Sequence, residues 1–428
     1  MWQLSRTLLA MTFTALHRGT GTEPGPITDD LLDEAVGAGL LECEDLDWKS
    51  KLPPTKSLSS TDFPKDVAAF ANRGGGVIVY GVEESEKAAI NRVDAGTLTE
   101  SHERALRTAA MNAVTPPVRG LKIHRLERDG LHAVVVEVPA SPDRPHMIYR
   151  NELFGAPVRE DADTFWMQER VIDAMYRERH QEQRNSEKSL RNLYDDVAHK
   201  RGKERAWLIA VARPRFPMPV PPLSRDAARN LFVAAKTLTL RFVSGAPAHP
   251  LESVDVLNPR PGLRGWVGRS ITGRQASWKE AWASVHNNGA VTLASSVGGH
   301  RSGRDRFEEP WQVFGDVIEA GVSDFMSLVR VVGNATSNDE YDVRVGIEWD
   351  GEEPLLVSSQ DSFGEASYAG STPLRRYIPV TATVDAAQSD RDFHDQVHRL
   401  IEDCVSQGGV FARKATEPPP ANANEFGT

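Results

Sequence analysis

The stretch Ala69-Phe70-Ala71-Asn72-Arg73-Gly74-Gly75-Gly76-Val77-Ile78-Val79-Tyr80-Gly81-Val82-Glu83-Glu84 decides the fold. Phe63, Val67, Phe70 and Ala71 recur at helical spacing, and the run from Asn72 to Gly76 supplies residues that end a helix because they tolerate positive φ. Residues 77–82 are then a continuous, largely β-branched apolar run, which is how a strand buried on both faces reads. Helix, glycine turn and buried strand follow one another without a break, and the strand ends in two carboxylates. Three successive glycines permit close backbone approach, either by a phosphate or by a neighbouring helix.

Upstream, Leu46-Asp47-Trp48-Lys49 alternates apolar and polar, a half-buried strand that projects Asp47 and Lys49 from the same side. Downstream, 121–126 and 131–138 flank an Asp129-Gly130 turn and predict a β-hairpin. Residues 146–150 predict a short strand, and 162–179 a helix with Phe165, Ile172 and Tyr176 on a buried stripe. An α+β domain is therefore expected over 39–180, preceded by an extension with helices at 1–38.

Residues 181–222 read as a polar, basic connector, a strand from 206 and a proline-rich loop at 214–222. A second α+β domain of unrecognised type is expected over 223–415. Its predicted elements are helices near 224–237, 310–331 and 389–406, hairpins across Asn287-Asn288-Gly289 and Asp350-Gly351, and a strand at 376–384. The tail 416–428 is expected to be disordered.

The length of 428 residues suits two or more domains, and 40% apolar with 26% charged residues suits a globular chain. No apolar run is long enough to span a membrane, so no membrane partner is expected. Two cysteines exclude a disulfide framework and fit a reducing compartment; with no signal-peptide pattern at 2–17, a cytoplasmic location is expected. The net charge of −10 gives no bulk electrostatic sign of nucleic-acid binding. Only 181–260 is basic, with 14 Lys and Arg against 8 Asp and Glu.

Glu42, Glu44, Asp45 and Asp47 crowd into six residues. Such density reads either as a solvated face or as a cation site. The Asp-x-Lys pair Asp47 and Lys49 favours the second, because a carboxylate holding Mg²⁺ beside a lysine suits phosphodiester chemistry.

Taken together, Glu42-x4-Asp47-Trp48-Lys49, Phe70 to Gly76, Ile78-x2-Gly81-Val82, Val138-Pro139 and Arg144-Pro145-His146 resemble the Schlafen AlbA-type domain. Ala156-Pro157-Val158-Arg159 resembles its closing segment. The resemblance implies a nucleic-acid-binding domain, and vertebrate Schlafen members include metal-dependent RNases that cut tRNA with three carboxylates. Carried over, these are Glu42, Asp47 and either Glu83 or Glu84, holding Mg²⁺ or Mn²⁺, with Lys49 beside them as a further catalytic residue. Two positions depart from the family's pattern: Asp47 stands where the family has Glu, and the third acid is split between Glu83 and Glu84.

Lys49, Lys51, Arg73, Lys188, Arg191 and Arg201 are the expected nucleic-acid contacts. No G-x4-G-K-[ST] string occurs, so no P-loop ATP site is expected. Two functions stay open at this point. One is a metal-dependent ribonuclease; the other is a non-catalytic DNA-binding regulator whose C-terminal domain senses a ligand or dimerises. Homo-oligomerisation and a role in host defence are compatible with either, and RNA and DNA are not distinguished.

Overall fold

The structure, a computed structural model, describes residues 13–150, 153–215, 222–241, 249–270, 274–302, 306–336, 338–360 and 366–412. The expected tail disorder at 416–428, most of the extension before residue 13 and positions 216–221 of the proline loop lie outside the described residues. The chain divides into two compact units, Met1–Asn185 and Ser186–Thr428, and the α+β class read from the sequence holds.

The first unit opens with α1 (Ala15–Thr20) and α2 (Asp29–Gly37), then β1 (Leu46–Lys49), α3 (Phe63–Arg73) and β2 (Gly75–Tyr80). β3 (Val82–Ser85) and β4 (Ala88–Arg92) pair, and α4 (Glu100–Asn112) and β5 (Val114–Thr115) follow. β6 (Lys122–Arg128) and β7 (Leu131–Pro139) turn back through Asp129 and Gly130, both at positive φ, as the two-residue hairpin requires. The sheet order is β1-β2-β7-β6, with β1 parallel to β2 and the other pairs antiparallel.

β2 lies inside this sheet and is buried on both faces, as its apolar run predicts. Ile78 and Tyr80 join a core with Phe70 and Leu106, while Val77 and Val79 join another with Leu16, Leu32 and Trp48. Its first two residues, Gly75 and Gly76, serve packing. Gly75 has a φ of 87°, a Cβ there would lie 2.7 Å from the Val138 carbonyl oxygen, and a Cβ at Gly76 would strike the Phe70 ring. Gly76 thus gives close helix–strand packing, while Gly75 packs on the β7 end and Gly74 meets nothing within 4 Å.

β8 (Met147–Arg150) and β9 (Leu153–Gly155) form a hairpin attached to β5, and β10 (Pro157–Glu160) and β11 (Asp163–Trp166) form another. This corrects the helix expected over 162–179, because α5 (Glu169–Ala198) starts only at Glu169. Asp161 turns the chain at φ 52°, and Thr164, Phe165 and Trp166 are residues that favour a pleated strand. Phe165 is consequently 51% exposed rather than buried on a helical stripe.

In the second unit the last turns of α5 bury Leu190, Tyr194 and Val197. The chain continues through β12 (Trp207–Pro214), α6 (Arg225–Arg241), α7 (Pro250–Ser253), β13 (Arg260–Gly262), β14 (Gly265–Arg269), β15 (Ala281–His286) and β16 (Val291–Ser296). Next come the short pair β17 (Arg301–Ser302) and β18 (Arg306–Phe307), β19 (Gln312–Phe314), α8 (Gly315–Thr336) and β20 (Glu340–Glu348). β21 (Leu356–Gln360), β22 (Ala366–Ser367), β23 (Val380–Asp385) and α9 (Asp390–Ser406) complete it.

The main sheet of this unit is antiparallel, in the order β13-β14-β15-β16-β12-β20-β23. Alternation along β12 explains its two faces: Leu208 and Ala210 meet Phe232, Phe325 and Leu400 of α6, α8 and α9, whereas Trp207, Ile209 and Val211 meet Leu190 and Tyr194 of α5. The hairpin expected across Asp350-Gly351 does not form, since β20 pairs with β12 and β23 while β21 pairs with β19 and β22. Gly351 does not take the positive φ that such a turn demands. No helix among the described residues is long and apolar enough to cross a membrane.

Candidate nucleic-acid interface

Each acid in the crowded run at 42–47 has a cationic partner. Arg18 pairs with Asp45 at 2.6 and 2.8 Å, and Arg73 with Glu44 at 3.0 and 3.1 Å. Asp47 on β1 receives Arg159 Nη1 on one oxygen at 2.8 Å and faces Lys49 Nζ with the other at 2.5 Å. Glu42 accepts the Trp48 backbone N–H at 2.8 Å through Oε1, and its Oε2 lies 3.6 Å from Arg159 Nη2.

Arg159 sits on β10 and is 3% exposed. Besides Asp47, it donates to the carbonyl oxygens of Cys43 at 3.2 Å and Leu46 at 3.0 Å, and its guanidinium lies 5.0 Å from the Phe70 ring centroid. One planar, five-donor side chain therefore ties β10 to β1. Its cover also explains why Asp47 is buried, although β1 reads as half-buried in sequence.

The sequence reading missed a further carboxylate, Asp66 on α3, which is 4% exposed with Lys65 3.5 Å away. Burial, with the charge of Asp47 adding to it, pushes the Asp66 carboxyl up to about 6. Burial also pushes Glu42 up to about 7, Asp47 adding to it while the Trp48 N–H and Arg159 oppose it. At Lys49 burial acts to lower the value, but Asp47, Asp66 and Glu42 hold the ammonium above the usual lysine range.

A carboxyl raised on folding binds more protons folded than unfolded. Its cost to stability is therefore absent below the unfolded value, grows as pH rises, and is complete above the folded value. Asp66→Asn mimics the neutral acid in the same volume. It is expected to stabilise the first unit by about 1–2 kcal/mol at pH 8 and by little at pH 4, as urea unfolding at the two pH values measures.

Asn72, in the glycine-run motif, is 1% exposed. Its Nδ2 donates to the carbonyls of His146 at 2.9 Å and Pro157 at 2.7 Å, and its Oδ1 accepts the His146 N–H at 2.7 Å. His146 leads into β8 and Pro157 begins β10, so one amide anchors both hairpins. The hairpins expose large aromatic surface. Tyr149 and Phe154 lie directly opposite each other across β8 and β9, 69% and 59% exposed. Trp166 on β11 is 44% exposed, and its indole covers Gly155, where a Cβ would come within 2.9 Å of it.

The other expected site residues fall elsewhere. Glu83 and Glu84 are exposed on β3, and Glu84 accepts the Lys87 N–H at 2.9 Å. Lys51 is exposed after β1. Lys188, Arg191 and Arg201 belong to the second unit, where Arg201 is engaged by Asp350 at 2.5 Å and by the Ala198 carbonyl at 2.9 Å. The Mg²⁺ or Mn²⁺ implied by the resemblance does not fit the groups brought together. Both Asp47 oxygens face cations, Glu42 is turned to Trp48 and Arg159, and no group of three or more His, Cys, Asp or Glu among the described residues is placed to hold a metal.

Only Arg159 could have signalled this arrangement in sequence, since it belongs to the closing segment of the resemblance. Residues 42–168 match the family model of Schlafen, AlbA_2. That segment runs from Glu42 to just before α5, so the Schlafen AlbA_2 part contains the charge knot, Asn72 and both aromatic hairpins. No curated protein matches the chain. Among solved structures, the chain is similar to the N-terminal domain of an ATP-dependent DNA helicase RecG-related protein from Nitrosomonas europaea, at 21% identity and TM-score 0.23, covering 31% of this chain and 86% of that one. It is also similar to the DIP2311 protein from Corynebacterium diphtheriae, at 14% identity and TM-score 0.23, covering 32% of this chain and 25% of that one.

Proposed function

We propose that the Schlafen AlbA_2 segment binds single-stranded nucleic acid on the aromatic side chains of its two β-hairpins. The observation that carries this reading is the exposure of Tyr149 and Phe154 as a cross-strand pair, with Phe165 and Trp166 exposed on the next hairpin. Bases stack on such rings whatever their sequence, and only an unpaired strand can offer their faces. The Glu42, Asp47 and Arg159 knot acts as a positioning device for β10, and Asn72 does the same for both hairpins. Like the DNA-binding regulator open from sequence, this reading is non-catalytic, but it commits to an unpaired strand and not to DNA or to regulation. The ribonuclease function needs a metal that this arrangement does not fit, and no catalytic step is assigned to it.

Most cations of this segment are already committed to carboxylates, leaving the exposed Lys51 and Lys56 and, through the exposed Arg73–Glu44 pair, Arg73 as phosphate contacts. Each phosphate contact on a single strand contributes about −0.7 to the slope of log K against log salt, so three contacts give a shallow slope of about −2.1. The test is a titration of fluorescein-labelled 20-nucleotide DNA and RNA strands with the full chain in EDTA across a salt series. Saturable binding with that shallow slope is expected, with intact strands afterwards. Equal affinity for the matching duplex would overturn the stacking reading, and cutting restored by Mn²⁺ and lost in Asp47→Ala would reinstate the ribonuclease.

A further inference from the structure

We propose that the second unit carries a binding site for a nucleoside polyphosphate, separate from the nucleic-acid surface of the first. A cavity of about 390 Å³ opens beside the end of β20, within the size range of small-ligand sites. Four of its lining residues are arginines: Arg191, Arg344, Arg375 and Arg376. In a chain of net charge −10, this concentration of guanidinium groups is built against the overall balance. Planar guanidinium forks are suited to bidentate recognition of phosphate.

Local structure explains how the cations are brought together. Arg191, Tyr194 and Asp195 occupy one face of α5 at helical spacing, while Arg344, Gly346 and Glu348 alternate along one face of β20. A Cβ at Gly346 would strike the Tyr194 hydroxyl, so the missing side chain lets α5 approach the strand. Tyr194 then donates to Glu348 at 2.8 Å, and the Arg344 guanidinium lies 5.2 Å from the Tyr194 ring centroid while Nη1 donates to Thr381 at 3.2 Å. Arg344 is thereby fixed at the floor, with its Nε buried and without a hydrogen-bond partner.

Arg375 and Arg376 differ from the committed arginines elsewhere in the molecule. Both are exposed, and no carboxylate partners either among the described residues. Among the described residues Arg191 pairs with an exposed helical neighbour, Glu187, at 3.6 Å, a pairing of small worth. Three arginines are thus available to a polyphosphate without breaking a strong ion pair.

The rest of the lining selects a nucleoside over a bare inorganic anion. Asp195 and Glu348 are acceptors for sugar hydroxyls or an exocyclic amine, and Trp349, Leu355 and Leu374 supply an apolar wall for a base. The Trp349 ring is held in place, its Nε1 donating to the Glu353 carbonyl at 2.8 Å.

Isothermal titration of the full chain with ATP, inorganic triphosphate and adenosine tests the proposal. ATP is expected to bind at one site, more tightly than triphosphate and in competition with it, with adenosine weakest. Arg375→Ala combined with Arg376→Ala is expected to weaken ATP at least tenfold while leaving the ligand-free melting temperature unchanged, because both side chains are exposed; the paired Lys substitutions should recover part of the loss. Tyr149→Ala with Phe154→Ala should bind ATP as the natural chain does, whatever becomes of nucleic-acid binding. No saturation at millimolar ATP, or unchanged affinity in the double Arg variant, would overturn the site. Triphosphate binding as tightly as ATP would overturn the nucleoside assignment.

Discussion

Arg159→Ala is expected to lower the unfolding free energy of the first unit by about 3–5 kcal/mol, the cost of leaving buried charges uncompensated. The guanidinium is the partner of Asp47, lies 3.6 Å from Glu42, and satisfies two backbone carbonyls. Truncation leaves those acceptors dry, Asp47 retaining only Lys49. Arg159→Lys keeps the charge but cannot reach three acceptors from one fixed plane, so it should recover only part of the loss. Combining Asp47→Asn with Arg159→Met should cost less than Arg159→Ala alone, because charge and counter-charge leave together. Urea unfolding followed by signals from each unit measures this, since two units need not unfold in one transition.

Asn72→Ala is the second large effect, expected at about 2–4 kcal/mol. One side chain makes three short hydrogen bonds in a buried position, so its loss strands the His146 N–H and carbonyl and the Pro157 carbonyl together. Asn72→Asp should be worse than Ala, for it retains the acceptor but turns a carboxylate toward two carbonyl oxygens. Both variants should also speed amide exchange in β8 to β11 well beyond that of β2 and β7, because the anchored hairpins loosen while the sheet keeps its core. Hydrogen exchange followed by mass spectrometry separates this local release from a uniform loss of stability.

What the sequence revealed and what it hid divide along a physical line. The helix, glycine turn and strand at 63–80 were legible because periodicity, turn chemistry and burial agree there, whereas Gly81 at φ 99° ends the strand expected to run on to residue 82, and Val82, Glu83 and Glu84 lie on β3 instead. The 131–139 strand was legible for the same reason, with Asp129-Gly130 fixing its hairpin. The 163–166 strand was read as helix because Phe165 and Tyr176 happen to fit a helical stripe, and only the turn at Asp161 breaks it. The acids at 42–47 were seen, but their partners were not, since Arg18, Arg73 and Arg159 are far away in sequence. A carboxylate's neighbours decide whether it holds a metal or a guanidinium, and those neighbours come from tertiary structure. Asp66 escaped notice because an aspartate in the first turn of a helix is ordinary; its burial is visible only once α3 packs against β2 and β10.

In the proposed function the Glu42, Asp47 and Arg159 charge knot is a scaffold and the aromatic hairpins do the binding. Equilibrium titration of a labelled 20-nucleotide single strand, in EDTA, with the natural chain and with Tyr149→Ala plus Phe154→Ala, tests it most directly. Stacking is worth about 1–3 kcal/mol per base, so the double variant should bind at least about 30-fold more weakly while unfolding at the same urea concentration. Equal affinity in the two proteins would contradict the claim.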